Sequence, residues 1–439
     1  MKMHFSELRE IRSYLLLWAT QFLSGLGSGM TSYALVIWSY SQEGSALATS
    51  LTMVCSYTPY VLCSVFAGAL SDRWDKKRTL LVCDALAAFS TLVMLFLLRT
   101  DSLRIWHLYV INFFSGLMNT VQQPASEVAT TQLLPRRLYQ KVGGLRQLAS
   151  SVSSILTPVL ATTLLSFGGM NLIIAIDLGS CMLAVIVLLF FIRIPQPALS
   201  TDSPERLPDS VRIGLHWLRD HPGILHLMFF LAAINLVASM YNAALPAMML
   251  SRTGGGEQAL GIISTTTSVA MLIGSALSLT LPTPKSRVKA IWYSLLLSMC
   301  TENFILAFGR SVPVWCVGAF LGWITIPWMN VNLGTINRLT IPAEIQGRVF
   351  AVRNSFQFFT IPLGYFLGGL MVDQIFEPLM AHQPSGSLLV SLFGPGKGSG
   401  AAFFFAVIGV LGVLTCLLFH GDRHIHALES SDASSSDHS

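Results

Sequence analysis

Gly68-Ala69-Leu70-Ser71-Asp72-Arg73-Trp74-Asp75-Lys76-Lys77-Arg78-Thr79-Leu80 carries six charged side chains within thirteen residues. It separates two long apolar runs, roughly 46–67 and 79–98. Hydrocarbon offers its charged side chains no partner, so the stretch is a tight hairpin loop at a membrane surface. Arg73, Lys76, Lys77 and Arg78 are cationic, which places that surface on the cytoplasmic side. Gly68 allows two helices to approach closely. Asp75 falls in the turn, where Asp tolerates positive φ better than most non-glycine residues.

The composition agrees. Of 439 residues, 53% are hydrophobic and 11% charged, against about 25% charged in soluble domains. All seven Cys lie in apolar segments without a C-x-x-C pair, so they read as small packing residues and not as a metal or disulfide framework. The net charge of +5 is spread over loops and is no nucleic-acid footprint. The first apolar run, Tyr14–Tyr40, is too long for a cleavable signal peptide.

A membrane-spanning helix takes about 20 apolar residues. Twelve segments qualify: about 14–40, 46–70, 79–98, 105–125, 143–166, 170–192, 222–248, 259–281, 290–308, 313–336, 349–372 and 400–420. An even number puts both termini on one side. If that side is cytoplasmic, 22 of the 27 Lys and Arg residues lie inside. The positive-inside rule therefore supports both the count and the orientation, and a bacterial inner membrane is the simplest compartment.

The chain divides into a half over 1–192, a cytoplasmic linker over 193–221, a second half over 222–420 and a tail over 421–439. The linker starts with Pro195, Pro197, Pro204 and Pro208. Val211, Leu215 and Leu218 then recur at helical spacing beside Trp217, which predicts a short amphipathic surface helix. Pro135, Lys141, Arg146 and Gln147 have the same offsets as Pro342, Arg348, Arg353 and Asn354, as expected of parallel repeats. The long loop over 373–399 is expected outside, folded onto the outer mouth or lying at the interface. The Ser-, Asp- and His-rich tail is expected to be disordered.

The loop 68–80 resembles the signature between segments two and three of the major facilitator superfamily, with Gly68, Leu70, Asp72, Arg73, Lys76, Lys77 and Leu80 matching and Asp75 replacing the usual glycine. Gln122-Gln123-Pro124-Ala125, Gly347-Arg348-Val349-Phe350-Ala351 with Pro362-Leu363-Gly364, and Phe376-Glu377-Pro378 look like the efflux branch that includes macrolide and enterobactin-type siderophore exporters. The resemblance implies an all-α polytopic fold of twelve helices in two parallel six-helix repeats. It implies a monomeric secondary transporter, no enzyme, that exports an amphipathic small molecule across the bilayer with the proton gradient as its energy source and no cofactor. Two family features are missing: Asn112 stands where many drug:proton antiporters carry Arg, and Thr157-Pro158 lacks the following glycine pair.

The same resemblance implies a cytoplasmic gate latch of Gly68, Asp72, Arg73, Lys76, Lys77, Glu127 and Arg348. Asp72 would sit on the positive N-terminus of the eleventh segment, near Arg348, and Arg73 would pair with Glu127. The substrate cavity is expected from segments 1, 4, 7 and 10, with Gln21, Asn112, Asn119, Asn235, Tyr241, Asn330 and Asn332 as polar candidates.

Ionisable residues in hydrocarbon cost roughly 2.5–3.5 kcal/mol on insertion scales and so face a cavity or a partner. Asp177 in the sixth segment is the first candidate for proton coupling and Glu302 in the ninth the second. Asp84, nearer the cytoplasm, reads as a packing partner for the basic loops. Gly25, Gly27 and Gly29 read as helix-packing positions. Rival readings are a lysophospholipid flippase of the same fold and a polytopic membrane enzyme. No H-x-x-x-H, H-E-x-x-H or nucleophile-elbow pattern supports the enzyme.

Overall fold

The computed structural model describes residues 12–73, 75–135, 139–194, 207–342 and 345–428; the side chains at 64–73, 127, 131, 139–141, 143–144, 207–211, 346–348, 350–351 and 354 are not among those described. The described residues form helices and connecting turns, with no strand. The long helices are α1 (Arg12–Glu43), α2 (Ala46–Arg73), α3 (Lys76–Arg99), α4 (Ile105–Leu133) and α5 (Tyr139–Phe190). The linker helix α6 (Leu207–Asp220) precedes α7 (Pro222–Ser251), α8 (Glu257–Thr280) and α9 (Arg287–Phe308). Then come α10 (Val312–Trp323), α11 (Ile326–Thr340), α12 (Gln346–Met371), a π turn (Val372–Phe376), α13 (Glu377–Ala381), α14 (Leu388–Phe393) and α15 (Ser399–His420).

Nine spans among the described residues are long and apolar enough to cross a membrane. Large apolar side chains such as Phe167 (86% exposed) and Leu279 (88%) face outward. Water would penalise such a surface, whereas lipid does not. The chain is therefore a multi-pass membrane protein.

Two expected spans, 143–166 and 170–192, are continuous in α5 except at Gly169, whose φ of +64° and ψ of −170° interrupt the helix. Only glycine adopts that conformation at little cost. The expected span 313–336 is divided instead. Ile324 and Thr325 separate α10 from α11, and Pro327 sits in the first turn of α11, where its missing N–H costs nothing. Asp75 needs no positive φ: at φ −61° it caps α3, its carboxylate accepting from Arg78 N. Its short acceptor side chain suits an N-cap, and that geometry replaces the expected strained turn.

Contacts divide the chain into two compact units, Met1–Trp38 with Cys55–Ser203 and Ser39–Val54 with Pro204–Ser439. The first unit packs Met30, Ala34, Leu108, Ile173 and Ile174 at its centre. In the second, Arg252 is buried and its guanidinium donates to the carbonyls of Leu306, Ala307 and Phe393, tying the ends of α7, α9 and α14.

The stretch 373–399, expected as a loop, is partly helical, through the π turn, α13 and α14, and carries two carboxylate caps. Asp373 accepts from Ser45 Oγ (2.6 Å), Ala46 N (3.0 Å) and Leu47 N (2.8 Å), at the start of α2. Glu377 accepts from Gly398 N and Ala401 N, both at 3.0 Å, at the start of α15. Each satisfies N–H groups that have no partner within their own helix. The expected disordered tail begins as helix: 423–428 is helical, and Asp422 caps it through His424 N and Ile425 N while meeting His226 Nδ1 at 2.6 Å.

Candidate substrate and coupling cavities

In the first unit, polar residues on α1 follow one another at three- and four-residue steps: Gln21, Ser24, Ser28, Thr31. On α4 the series is Asn112, Ser115, Asn119, Gln122 and Ser126. Such steps keep side chains on one helix face. Both faces line one cavity of about 780 Å³, completed by Asp84 and Thr91 from α3 and by Arg146, Asp177 and Cys181 from α5.

Two carboxyls are buried in that cavity. Asp84 is 4% exposed and accepts from Gln21 Nε2 at 2.8 Å and Gln122 Nε2 at 2.6 Å. Its partners are therefore amides across the cavity, not basic loops. Its distance along α3 suggested the loops, but the helix face it occupies decides otherwise. Asp177 is 2% exposed and accepts from Ser28 Oγ at 2.9 Å, with Thr31 and Thr91 beside it. Every described partner of both carboxyls is neutral. A buried carboxylate without a countercharge is costly, and taking up a proton relieves that cost.

Gly27 lets α1 approach α5 directly: a Cβ there would lie 2.6 Å from Ser180 Oγ and 3.0 Å from Asp177 Cα. Gly29 packs on Thr157 in the same way, whereas Gly25 meets no atom within 4 Å and faces the cavity. Of the three glycines expected to pack, Gly25 therefore opens space instead.

The second unit holds a smaller cavity of about 240 Å³ among α7, α9, α10, α11 and α12. Glu302, 4% exposed, accepts from Trp323 Nε1 at 2.7 Å. Gly322 makes room for it, since a Cβ there would stand 2.5 Å from Glu302 Cβ. Tyr241 and Asn303 also line the cavity, and both are buried.

Among the expected cavity residues, Gln21, Asn112 and Asn119 line the larger space, and Asn235, Tyr241 and Asn330 the smaller. Asn332 lines neither: it is 3% exposed and its amide donates to Trp328 O at 2.9 Å on its own helix. Gln122 was legible only as part of a family pattern. The spacing 112, 115, 119, 122 was the signal that marks it as cavity-lining. Of the expected gate latch, the side chains of Gly68, Asp72, Arg73, Glu127 and Arg348 lie outside the described residues. Lys76 is buried, and Lys77 donates to Leu189 O at 3.0 Å, near the end of α5. No group of three His, Cys, Asp or Glu among the described residues could hold a metal ion.

The family model described as Major Facilitator Superfamily matches residues 17–278. The chain is 25% identical over 365 residues to "Macrolide efflux protein A" of Streptococcus pyogenes, covering 82% of this chain and 89% of that protein. It is 20% identical over 313 residues to "Enterobactin exporter EntS" of Citrobacter koseri, covering 70% and 72%. Among solved structures, the fold is similar to a bacterial homologue of the iron transporter ferroportin in an inward-facing state. That match has a TM-score of 0.67 at 15% identity and covers 96% of this chain and 99% of that one. The nucleoside transporter NupG matches with a TM-score of 0.64 at 12% identity, covering 94% and 100%.

Proposed function

We propose, given that the chain belongs to the Major Facilitator Superfamily, that it exports amphipathic organic molecules in exchange for protons. The observation that carries this reading is Asp177. It is a carboxyl buried in the wall of a cavity of about 780 Å³, and its partners among the described residues are neutral. The similarity to efflux proteins supports the export direction.

Protonated, Asp177 carries no charge, and its burial costs little. Deprotonated, it needs water or a cationic group nearby. A cavity that opens alternately to the two sides therefore loads a proton on one side and releases it on the other. Asp84 lines the same cavity and is held by two amides, Gln21 and Gln122. A wall that mixes amides and hydroxyls with apolar side chains such as Leu35, Phe89 and Met94 suits an amphipathic substrate. The membrane is read as a bacterial inner membrane, with both termini cytoplasmic and the chain a monomer without a cofactor.

The test is substrate-dependent proton release in everted vesicles, with panels of macrolides, catecholate siderophores and lysophospholipids. A ΔpH response to macrolides or siderophores that Asp177→Asn abolishes supports the reading. A response to lysophospholipids alone replaces the substrate class. Unchanged proton release in Asp177→Asn removes Asp177 from coupling.

A further inference from the structure

We infer that the cavity of the second unit is a subsite for an alkylammonium group, with Glu302 as its counter-ion. The inference rests on the export reading, since it assigns one end of the exported molecule. Its chemistry is read from the cavity alone.

Three observations converge. The Glu302 carboxyl faces the cavity with neutral partners, the Trp323 indole and the Tyr241 hydroxyl, and no described cationic side chain meets it. Asn303 Oδ1 is buried in the same cavity without a described hydrogen-bond partner, an acceptor left unused. Buried polar groups are rarely left so unless something occupies the site. The rest of the wall is mostly apolar, including Met299 and Leu333, with Asn235, Ser298, Asn330 and Gln357 among it.

A carboxylate set beside aromatic rings in a mostly apolar wall fits an organic cation: the charge meets the carboxylate and the ring faces, and the alkyl groups meet the walls. A bare metal ion would leave most of the space empty. A cavity of about 150 Å³ lined by apolar side chains holds benzene, so about 240 Å³ admits a group of roughly ten heavy atoms. Glu302 thereby takes a role other than proton coupling.

The experiment is calorimetric titration of the purified full-length protein with benzyltrimethylammonium and with its uncharged carbon isostere. The wild type is expected to bind the cation at least tenfold tighter than the isostere. Glu302→Gln keeps an oxygen for Trp323 and removes the charge, so cation affinity should fall at least tenfold while the thermal unfolding midpoint holds. Equal binding of cation and isostere by the wild type overturns the subsite, even if Glu302→Gln fails to fold. Equal cation affinity in wild type and Glu302→Gln also overturns it, as does binding displaced by sodium chloride at concentrations where choline chloride has no effect. The measurement needs no transport. Vesicles that export nothing while the purified protein binds the cation would sink the export reading and leave the subsite standing.

Discussion

The two units carry cavities of different make. The first is large, lined by amides and hydroxyls, and holds two carboxyls, Asp84 and Asp177. The second is less than a third of that volume, has a more apolar wall with fewer hydroxyls, and holds one carboxyl, Glu302. All three acids are 4% exposed or less, yet their partners differ: paired amides at Asp84, hydroxyls at Asp177, an indole and a phenol at Glu302. Burial alone therefore does not distinguish these three acids; the groups around each carboxyl do.

Substituting Asp177 and Glu302 separately should give opposite kinetic signatures. Asp177→Asn should reduce substrate-driven proton release more than tenfold with little change in substrate affinity. Glu302→Gln should raise the apparent KM for cationic substrates about tenfold and leave the proton count per molecule exported unchanged. Vesicle assays that find the reverse split would show that the second cavity drives coupling.

A smaller effect tests whether the units share their packing while differing in their cavities. Gly116 in the first lies against Ser56 O, and Gly274 in the second against Ile324 O, so close that a Cβ has no room. Gly116→Ala and Gly274→Ala should each destabilise by about 1–3 kcal/mol through overpacking, seen as a lowered thermal midpoint in detergent. If only one does, the helix approach is tight in one unit alone.

Glu377→Ala removes the cap from α15 and should cost about 1 kcal/mol, as loss of an N-cap typically does. The smallest effect concerns Asp422. Burial pushes its carboxyl up, but the His226 ring and the N–H groups of His424 and Ile425 outweigh this and hold it below the usual carboxylate range. A depressed carboxyl contributes stability above its unfolded value of about 3.9. That contribution is lost as pH falls through the folded value. Protease cleavage within 421–428 should therefore rise only in acid for the wild type, and already at pH 7 in Asp422→Asn.

Much of the architecture was legible without coordinates. Long apolar runs interrupted by charged loops dictate membrane helices, because a backbone in hydrocarbon must satisfy its own hydrogen bonds. The amphipathic linker helix was read from Val211, Leu215 and Leu218 and is present as α6. The caps at Asp373 and Glu377 were not legible, because Ser45 and Asp373 are 328 positions apart and no local pattern links them. Asn332 misled for a related reason: an amide on a helix is equally able to face a cavity or bond its own backbone, and neighbouring helices choose between these.

Residue order was enough to show that this chain spans a bilayer and roughly where its apolar segments lie. Those properties follow from local hydrophobicity, which each segment carries alone. Residue order was not enough to show where helices merge at Gly169 or divide at Ile324, that Asp84 meets Gln21 and Gln122, that Asp177 meets Ser28, or that Glu302 shares its cavity with Tyr241 and Trp323. Partners across helices depend on the rotation and crossing of whole helices, and those are set by packing at glycines such as Gly27 and Gly322, not by periodicity along one segment.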